Sequence, residues 1–166
     1  MQDIHRLASG ILLVVFDLDG VFTDGRLYYG AYGEELKCFH VRDGHGIKSL
    51  LRDGVQVAVI SGRKSKAVTT RMQELGVRHL FQGDDQKQPI YEQLLKDLGL
   101  RPLQTACVGD DLADLPLMLA CGLAIAVADA QPEIRAKAHW CTTAPGGRGA
   151  VREVCDLILA ARNAGG

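Results

Sequence analysis

An apolar run that ends at two carboxylates constrains this chain more than any other feature. Residues 11–16 (Ile-Leu-Leu-Val-Val-Phe) are followed directly by Asp17, Leu18, Asp19 and Gly20. The β-branched residues of the run predict a buried strand of a parallel sheet, and ligands of such sheets bind outside the carboxyl ends of the strands. Two carboxylates this close need a divalent cation or a shared proton, unless the segment is only a solvated Asp-Gly turn.

Length and composition restrict the class of protein. A chain of 166 residues that is 47% hydrophobic can bury one core, so we expect a single domain over residues 1–166. A net charge of -1 gives no electrostatic reason to bind nucleic acid or an anionic membrane. The five cysteines are scattered without a C-x-x-C pair, which argues against a disulfide framework and a zinc site. Because the run before Asp17 is too short to span a bilayer and no signal-peptide pattern precedes it, we expect a soluble, cytoplasmic protein.

Apolar strand patterns alternate with helical patterns along the chain. The predicted strands are 11–16, 55–60, 79–81, 105–108, 123–127 and, at an edge, 139–141. The predicted helices are 3–8, 44–51 with Asp43 as its N-cap, 64–75, 89–98, 112–120, 132–138 and 150–162. This alternation predicts an α/β fold with a doubly wound, mostly parallel sheet. Residues 26–41 instead predict a β-hairpin insertion, whose apolar residues suggest that one face meets a partner.

Polar side chains follow three of the predicted strands. Asp17 and Asp19, Ser61, and Asp110 with its neighbour Asp111 would meet at one edge of the sheet, and Lys87 would enter from a helix start. Three acidic groups at one point predict a Mg²⁺ site, since Mg²⁺ accepts a few carboxylates together with substrate phosphate. A serine hydroxyl and a lysine ammonium could then hold the phosphoryl oxygens.

These motifs resemble those of haloacid-dehalogenase-type phosphatases. FDLDG with Thr23-Asp24, ISGR, the isolated Lys87 and VGDD follow the order of the family's four motifs, and the resemblance covers nearly the whole chain. It extends to DGVFTDG, VRDGHGI, SGRKSK, VGDDLADLP and GGRGAVREVCDLIL, which are similar to members without a cap domain that act on sugar-acid phosphates. The resemblance implies a Rossmann-like core, a Mg²⁺-dependent phosphomonoester hydrolase and a role in lipopolysaccharide core biosynthesis.

The resemblance also implies a role for each motif residue. Asp17 would be the nucleophile that becomes an aspartyl-phosphate, and Asp19 would protonate the leaving oxygen and then activate water. Mg²⁺ would be bound by the Asp17 carboxylate, the Asp19 main-chain carbonyl and Asp110. Ser61 and Lys87 would hold the phosphoryl group.

The sugar-acid contacts implied by the resemblance form a larger set. They fall on Asp19, His40, Val41, Arg42, Asp43, Gly44, Lys48, Arg63, Arg71 and Lys87. Independently of the resemblance, Lys48, Arg63 and Arg71 are cations of the kind that a carboxylate-bearing substrate requires, although each alone could be a solvated helix residue. His40 departs from the amide that is more usual at its position.

The resemblance implies that the substrate is the 8-phosphate of an eight-carbon sugar acid, and two alternatives to this activity stay open. A receiver-like signalling domain is also doubly wound and combines acidic residues, a hydroxyl and a lysine, but it needs no second aspartate after its phosphoacceptor. A sister phosphatase would act on a nine-carbon sugar-acid 9-phosphate. An inactive relative of the family is disfavoured by the intact Asp17 and Asp19.

The spacing of the motifs leaves no room for a cap domain. Residues 20–60 hold only the hairpin, one helix and one strand, and residues 63–86 hold a helix and a short strand. Cover for the site must then come from another subunit, and the resemblance implies a homotetramer in which hairpins meet and neighbouring chains close each site. The loop 146–149 and the terminal helix could add to an interface whose apolar residues would be Leu27, Tyr28, Tyr29, Leu36 and Phe39.

Overall fold

Eight strands form two sheets in the computed structural model, which describes residues 4–164. The strands are β1 (Leu13–Phe16), β2 (Tyr28–Tyr29), β3 (Glu35–Leu36), β4 (Gln56–Ser61), β5 (His79–Gln82), β6 (Thr105–Gly109), β7 (Leu123–Ala126) and β8 (Trp140–Cys141). Six of them pair in the order β5-β4-β1-β6-β7-β8, and each pairing is parallel. The remaining pair, β2 and β3, is an antiparallel hairpin.

Seven helices accompany the sheet. They are α1 (Ile4–Ser9), α2 (Val41–Arg52), α3 (Lys66–Leu75), α4 (Lys87–Leu98), α5 (Leu115–Ala120), α6 (Pro132–Lys137) and α7 (Ala150–Asn163). Helix α7 packs on α1 and α2, whereas α5 packs on α4 and α6, so the helices form separate packed groups around the sheet. The predicted doubly wound fold is confirmed. No helix in residues 4–164 is both long enough and apolar enough to cross a membrane.

The central strand explains where the site lies. All residues of β1 are buried, as expected for a strand covered on both faces. Its last residue, Phe16, is in register with Val59 of β4 and Val108 of β6. Asp17 comes one position after this row of paired residues, and Ser61 and Asp110 come two positions after it. All three therefore lie at the carboxyl edge, where parallel sheets bind ligands.

Several predicted helix boundaries differ from the structure. Helix α3 begins at Lys66 rather than 64 and α4 at Lys87 rather than 89, and two other helices differ more. Helix α2 begins at Val41 rather than 44, and its N-cap is His40, whose Nδ1 accepts from the Arg42 amide at 3.2 Å. The helix predicted over 112–120 is divided into a 3₁₀ turn (Leu112–Asp114) and α5. Pro116 lies in the first turn of α5, where its missing amide hydrogen costs no helical bond.

Between β1 and α2, the regular secondary structure of the described residues is the hairpin of β2 and β3. Its strands are two residues each, so the hairpin predicted over 26–41 is correct in type but much shorter in its paired part. The first predicted helix corresponds to α1, and its predicted first residue, Asp3, lies outside the described residues.

Candidate active site

Hydrogen bonds from backbone amides hold the loop after β1 in place. Asp17 still belongs to the sheet ladder, because its amide donates to Val108 O at 3.0 Å. The next turn closes on Leu18 O, which accepts from the amides of residues 21–23 at 3.2, 2.9 and 3.3 Å. Gly20 has a φ of 96°, a conformation that side chains disfavour. This turn presents Asp17 and Asp19 at the carboxyl edge of the sheet.

The Gly-rich loop before α7 packs on this turn. Gly147 N donates to Val21 O at 3.0 Å, and Gly146 N donates to Asp129 Oδ1 at 2.9 Å. A Cβ on Gly146 would lie 1.7 Å from Gly20 O. The glycines of the PGGRG segment therefore allow a backbone-to-backbone approach that supports the loop carrying Asp19.

A buried lysine joins two carboxylates beneath the loop. Lys87, the first residue of α4, is 5% exposed, and its ammonium donates to Asp17 Oδ1 and, at 2.6 Å, to Asp114 Oδ1. Burial alone would lower the pKa of Lys87, but the charges of the two aspartates outweigh it and raise the pKa. Lys87 therefore remains a cation at the sheet edge.

Asp114 is a functional candidate that the sequence reasoning missed. Its Oδ2 also accepts from the amides of Asp110 and Asp111, at 3.0 and 3.3 Å. The spacing Asp110-x-x-x-Asp114 could have predicted this contact, because a carboxylate four residues after a turn can accept hydrogen bonds from the amides of that turn. Asp114 thus positions both the lysine and the backbone that carries Asp110.

The acidic cluster suits an oxygen-binding cation. Oxygens of Asp17, Asp110 and Asp114 lie within 4.8 Å of one another. Burial, reinforced by Asp114 despite the opposing charge of Lys87, raises the pKa of Asp17 to about 7. Burial and the neighbouring aspartates raise the pKa of Asp110 to about 8. Ionising these carboxyls together is unfavourable without a further positive charge.

The donor set and the space around it fit Mg²⁺. The candidate metal ligands that cluster here among residues 4–164 are carboxylates, and a Cβ on Gly20 would come within 2.1 Å of Asp110 Oδ2, so the glycine keeps room beside that ligand. Asp114 is committed to Lys87 and to two amides, which leaves Asp17 and Asp110 as the carboxylates available to the ion. A bound Mg²⁺ would balance the charge of these two carboxylates and would interact favourably with a phosphate beside them.

Asp19 lies in a separate cluster of charges. Its Oδ1 accepts from Lys37 Nζ at 2.5 Å, and its Oδ2 lies 3.8 Å from Arg63 Nε. Glu35 binds both cations, at 2.8 Å from Lys37 Nζ and 2.6 Å from Arg63 Nη2. Burial disfavours the Lys37 ammonium, yet Asp19 and Glu35 together raise its pKa. Sequence reasoning missed Lys37 and Glu35 because it assigned the hairpin only to subunit contacts.

Ser61 closes the predicted phosphate site from β4. It is 2% exposed at the end of the strand, and its Oγ accepts from Arg63 N at 3.3 Å. Arg63 follows on the surface, with its side chain bonded to the hairpin and close to Asp19. The structure therefore gathers Asp17, Asp19, Ser61, Lys87, Arg63 and Asp110 at one edge of the sheet.

The other predicted sugar-acid contacts form a second group on α2 and α3. Val41 and Arg42 are exposed in the first turn of α2, and His40 precedes them. Arg71 lies against Gly44, where an added Cβ would be 2.3 Å from Nη2, and Lys48 lines a neighbouring open groove. Within residues 4–164, no hydrogen bond or ion pair joins this group to Asp17 or Asp19. These residues are therefore described as a second cluster, which is not bonded directly to the first.

The Asp43 side chain departs from its predicted role. It is 1% exposed, burial raises the pKa of its carboxyl, and Oδ1 accepts from the Arg152 amide at 2.9 Å. Helix α7 follows Gly149, which has no side chain to cap it, so Asp43 satisfies an otherwise free amide of its first turn. Asp43 is therefore not the N-cap of α2, as the sequence predicted, and its Oδ1 instead stabilises the start of α7. Its Oδ2 accepts no hydrogen bond within the described residues, and the contact of Asp43 with a sugar acid stays a prediction.

This fold and site define a hydrolase class. A parallel doubly wound sheet whose central strand ends in Asp-x-Asp, facing a serine, a lysine and an acidic pair, is the arrangement of haloacid dehalogenase-like hydrolases. The model of that family matches residues 79–153. Together with the full-length similarities that follow, this match shows that the chain belongs to the haloacid dehalogenase-like hydrolase family.

Relatives that match nearly the whole chain share one name. The 3-deoxy-D-manno-octulosonate 8-phosphate phosphatase KdsC of Yersinia pestis is 50% identical over 162 residues, which cover 98% of this chain and 87% of the relative. A crystal structure of the Yersinia pestis enzyme superposes with a TM-score of 0.96 at 49% identity, covering 98% of this chain and 88% of the other. The Moraxella catarrhalis enzyme, crystallised with a magnesium ion, a phosphate ion and a KDO molecule, has a TM-score of 0.95 at 42% identity and covers 98% and 94%.

Proposed function

We propose that this protein is a Mg²⁺-dependent phosphatase that converts 3-deoxy-D-manno-octulosonate 8-phosphate to 3-deoxy-D-manno-octulosonate and phosphate. The observation that carries the proposal is the Asp17–Lys87–Asp114 arrangement beside Asp110, in a chain 50% identical to a phosphatase of that name. Residues 1–166 act as one domain, in the cytoplasm, and supply sugar acid for the lipopolysaccharide core.

The reaction divides into two transfers of the phosphoryl group. An Asp17 oxygen attacks phosphorus, the bond between phosphorus and the sugar oxygen breaks, and that oxygen takes a proton from Asp19. A water molecule then gives a proton to Asp19 as it attacks the aspartyl-phosphate, which releases phosphate and restores the Asp17 carboxylate. Lys87 and Ser61 hold the phosphoryl oxygens, and Lys87 is positioned for this by Asp17 and Asp114.

The proposed metal ligands are the Asp17 and Asp110 carboxylates and the Asp19 main-chain carbonyl. The first two are supported by the acidic cluster and by their raised pKa values. Bound Mg²⁺ permits both carboxyls to ionise, so that Asp17 presents a nucleophilic oxygen at neutral pH.

The proposed sugar-acid contacts come from two chains. Arg63, 3.8 Å from Asp19, lies on the chain that supplies the nucleophile. The segment from His40 to Gly44, with Lys48 and Arg71, belongs to the second cluster and would face the active site of a neighbouring subunit. The carboxylate of the sugar acid would be recognised by these cations, for which a guanidinium offers a bidentate geometry.

A homotetramer would bring the two clusters together. Support for an interface comes from exposed apolar side chains of the hairpin, since Tyr29 is 60% exposed and Leu36 is 56% exposed, with Leu27 and Tyr28 beside them. Phe39 contributes less than expected, because it packs partly against the core. Tyr32, at the hairpin tip, is 97% exposed and extends the apolar surface.

A steady-state comparison of substrates tests this function. We expect kcat/KM for the eight-carbon 8-phosphate to exceed that for a nine-carbon sugar-acid 9-phosphate by at least about tenfold, a ratio that corresponds to ~1.4 kcal/mol. A preference for the nine-carbon substrate would assign the sister activity.

A second experiment separates an enzyme from a phosphoacceptor domain. Asp17→Asn should lose several orders of magnitude in kcat, about as expected when a covalent nucleophile is removed, while its circular dichroism spectrum stays that of the wild type. An aspartyl-phosphate that persisted for minutes in the wild type, without multiple turnovers, would refute hydrolysis as the function.

A further inference from the structure

Lys37 is a buried cation that the proposed reaction does not yet use. Its side chain is 2% exposed, although the residue before it, Leu36, is exposed at the end of β3. Lysine is rarely buried unless it is paired, and its two partners are Asp19, at 2.5 Å, and Glu35, at 2.8 Å. A charge withdrawn from water to contact the proposed acid–base residue points to a role in its chemistry.

Strand alternation explains why the hairpin reaches Asp19. Glu35 and Lys37 are two residues apart, so they extend from the same side of the strand, whereas Leu36 between them is 56% exposed. Glu35 contacts Lys37 through Oε1 and Arg63 through Oε2. The base of the hairpin is thereby fastened to the loop after β1 through a closed set of two carboxylates and two cations.

The two cations beside Asp19 differ in their freedom to move. The Arg63 side chain is 45% exposed, lies 3.8 Å from Asp19 Oδ2, and is the predicted partner of the substrate carboxylate. Lys37 is almost fully enclosed and is held from its other side by Glu35. When a substrate engages Arg63, Lys37 is therefore the cation that stays on Asp19.

We propose that Lys37 is a positioning residue, held by Glu35, that fixes the Asp19 carboxylate for proton transfer. The proposal rests on the function proposed above. Lys37 occupies Oδ1 and leaves Oδ2, which is buried beside Arg63 and accepts no hydrogen bond within the described residues, as the oxygen that exchanges the proton once Arg63 has turned to the substrate carboxylate. As the bond from Asp17 to phosphorus forms and the bond to the sugar oxygen breaks, the proton passes from Oδ2 to that oxygen.

The replacement Lys37→Met tests this role, because it keeps the length of the side chain and removes the ammonium. General acid–base catalysis contributes about 10²- to 10⁴-fold, so a carboxylate that loses its orientation should lower kcat by about 10- to 100-fold. KM for the sugar-acid phosphate should change less than about threefold, since Lys37 contacts no proposed substrate atom. Lys96→Met, at an exposed lysine in the last turn of α4 and outside the cluster, is the matched control and should retain wild-type kcat.

A double-mutant cycle separates positioning from general damage to the hairpin. In an Asp19→Asn background, Lys37→Met should lower the residual kcat by less than about twofold, because the group that it positions is gone. Equal losses in the two backgrounds, or an unchanged kcat in the single variant, would overturn the proposal. If Lys37→Met does not fold, as judged by its melting curve, Glu35→Gln takes its place in the cycle. Its loss of kcat should again appear only when Asp19 is intact.

Two substrates are used so that the test of Lys37 can be distinguished from the test of the proposed function. Each variant is assayed with the sugar-acid phosphate and with an aryl phosphate. A wild type that cleaves only the aryl phosphate would refute the proposed substrate, while the cycle measured on the aryl phosphate still decides whether Lys37 acts through Asp19.

Discussion

Removing Mg²⁺ should make the stability of this protein fall as the pH rises from 7 to 8. The pKa of Asp17 is raised to about 7 and that of Asp110 to about 8, from an ordinary value of 3.8. Above pH 5 both carboxyls are ionised in the unfolded chain, but without metal the folded chain still holds protons on them. Because the folded state then binds more protons, raising the pH favours unfolding.

The size of the effect follows from the protons retained. One proton held only in the folded state changes the free energy of unfolding by ~1.4 kcal/mol per pH unit. Between pH 7 and 8, Asp110 becomes partly deprotonated and Asp17 loses most of the protonation that it still has at pH 7. We therefore expect the free energy of unfolding to fall by roughly 1 to 2 kcal/mol. For a chain of this length that lowers the melting temperature by about 3 to 6 °C. The range starts at pH 7 because burial lowers the pKa of His79 below its ordinary 6.5, so that its titration, which has the opposite sign, has only a small effect above pH 7.

Melting curves by circular dichroism, with EDTA or with saturating Mg²⁺, measure the difference. The ion keeps both carboxylates charged in the folded state, so the melting temperature with Mg²⁺ should change little over this range, and the gap between the curves should widen. Asp110→Asn is the control, because it lacks one titrating group and should show a smaller pH dependence in EDTA. A melting temperature in EDTA that stayed level or rose from pH 7 to 8 would refute the electrostatic description of the site.

Three further outcomes test other parts of the site. Asp114→Asn should lose about 2 to 4 kcal/mol of stability in urea titrations, because it leaves the buried ammonium of α4 with one carboxylate; an unchanged midpoint would contradict this. Gly20→Ala should raise the Mg²⁺ concentration for half-maximal activity by about tenfold, since its Cβ would lie 2.1 Å from Asp110 Oδ2, whereas Gly54→Ala, with a similar φ but open space, should not. Tyr29→Asp should shift the mass measured by light scattering from tetramer towards smaller species, and a monomeric wild type would refute the assembly.

The sequence predicted those parts of the site that sit on strand ends. The run before Asp17 and the apolar strand before Ser61 each specify a buried strand, and a parallel sheet aligns their ends without further information. Lys87 could be placed because it opens a helix. The sequence did not predict Asp114, since its position was assigned to a regular helix, whereas the 3₁₀ turn folds its carboxylate back towards Lys87.

Contacts made across long stretches of chain were also missed. Lys37 reaches Asp19 from 18 residues away, and Asp43 caps α7 from a distance of 109 residues. Neither contact has a local pattern, because a charged residue next to a short hairpin or in the first turn of a helix is ordinarily solvated. Only the packing of α2 on α7 and of the hairpin on the loop after β1 gives these side chains their partners.

The hairpin both contacts the proposed acid–base residue and carries an exposed apolar surface. Its paired strands are two residues each, too short to be stable alone. The charges of Glu35 and Lys37 fasten its base to Asp19, whereas apolar residues of the hairpin such as Tyr29 are exposed. If hairpins meet in the proposed tetramer, assembly orders the same segment that positions the acid–base residue. Dissociation should then lower kcat as well as raise KM, even for an aryl phosphate that lacks the sugar acid.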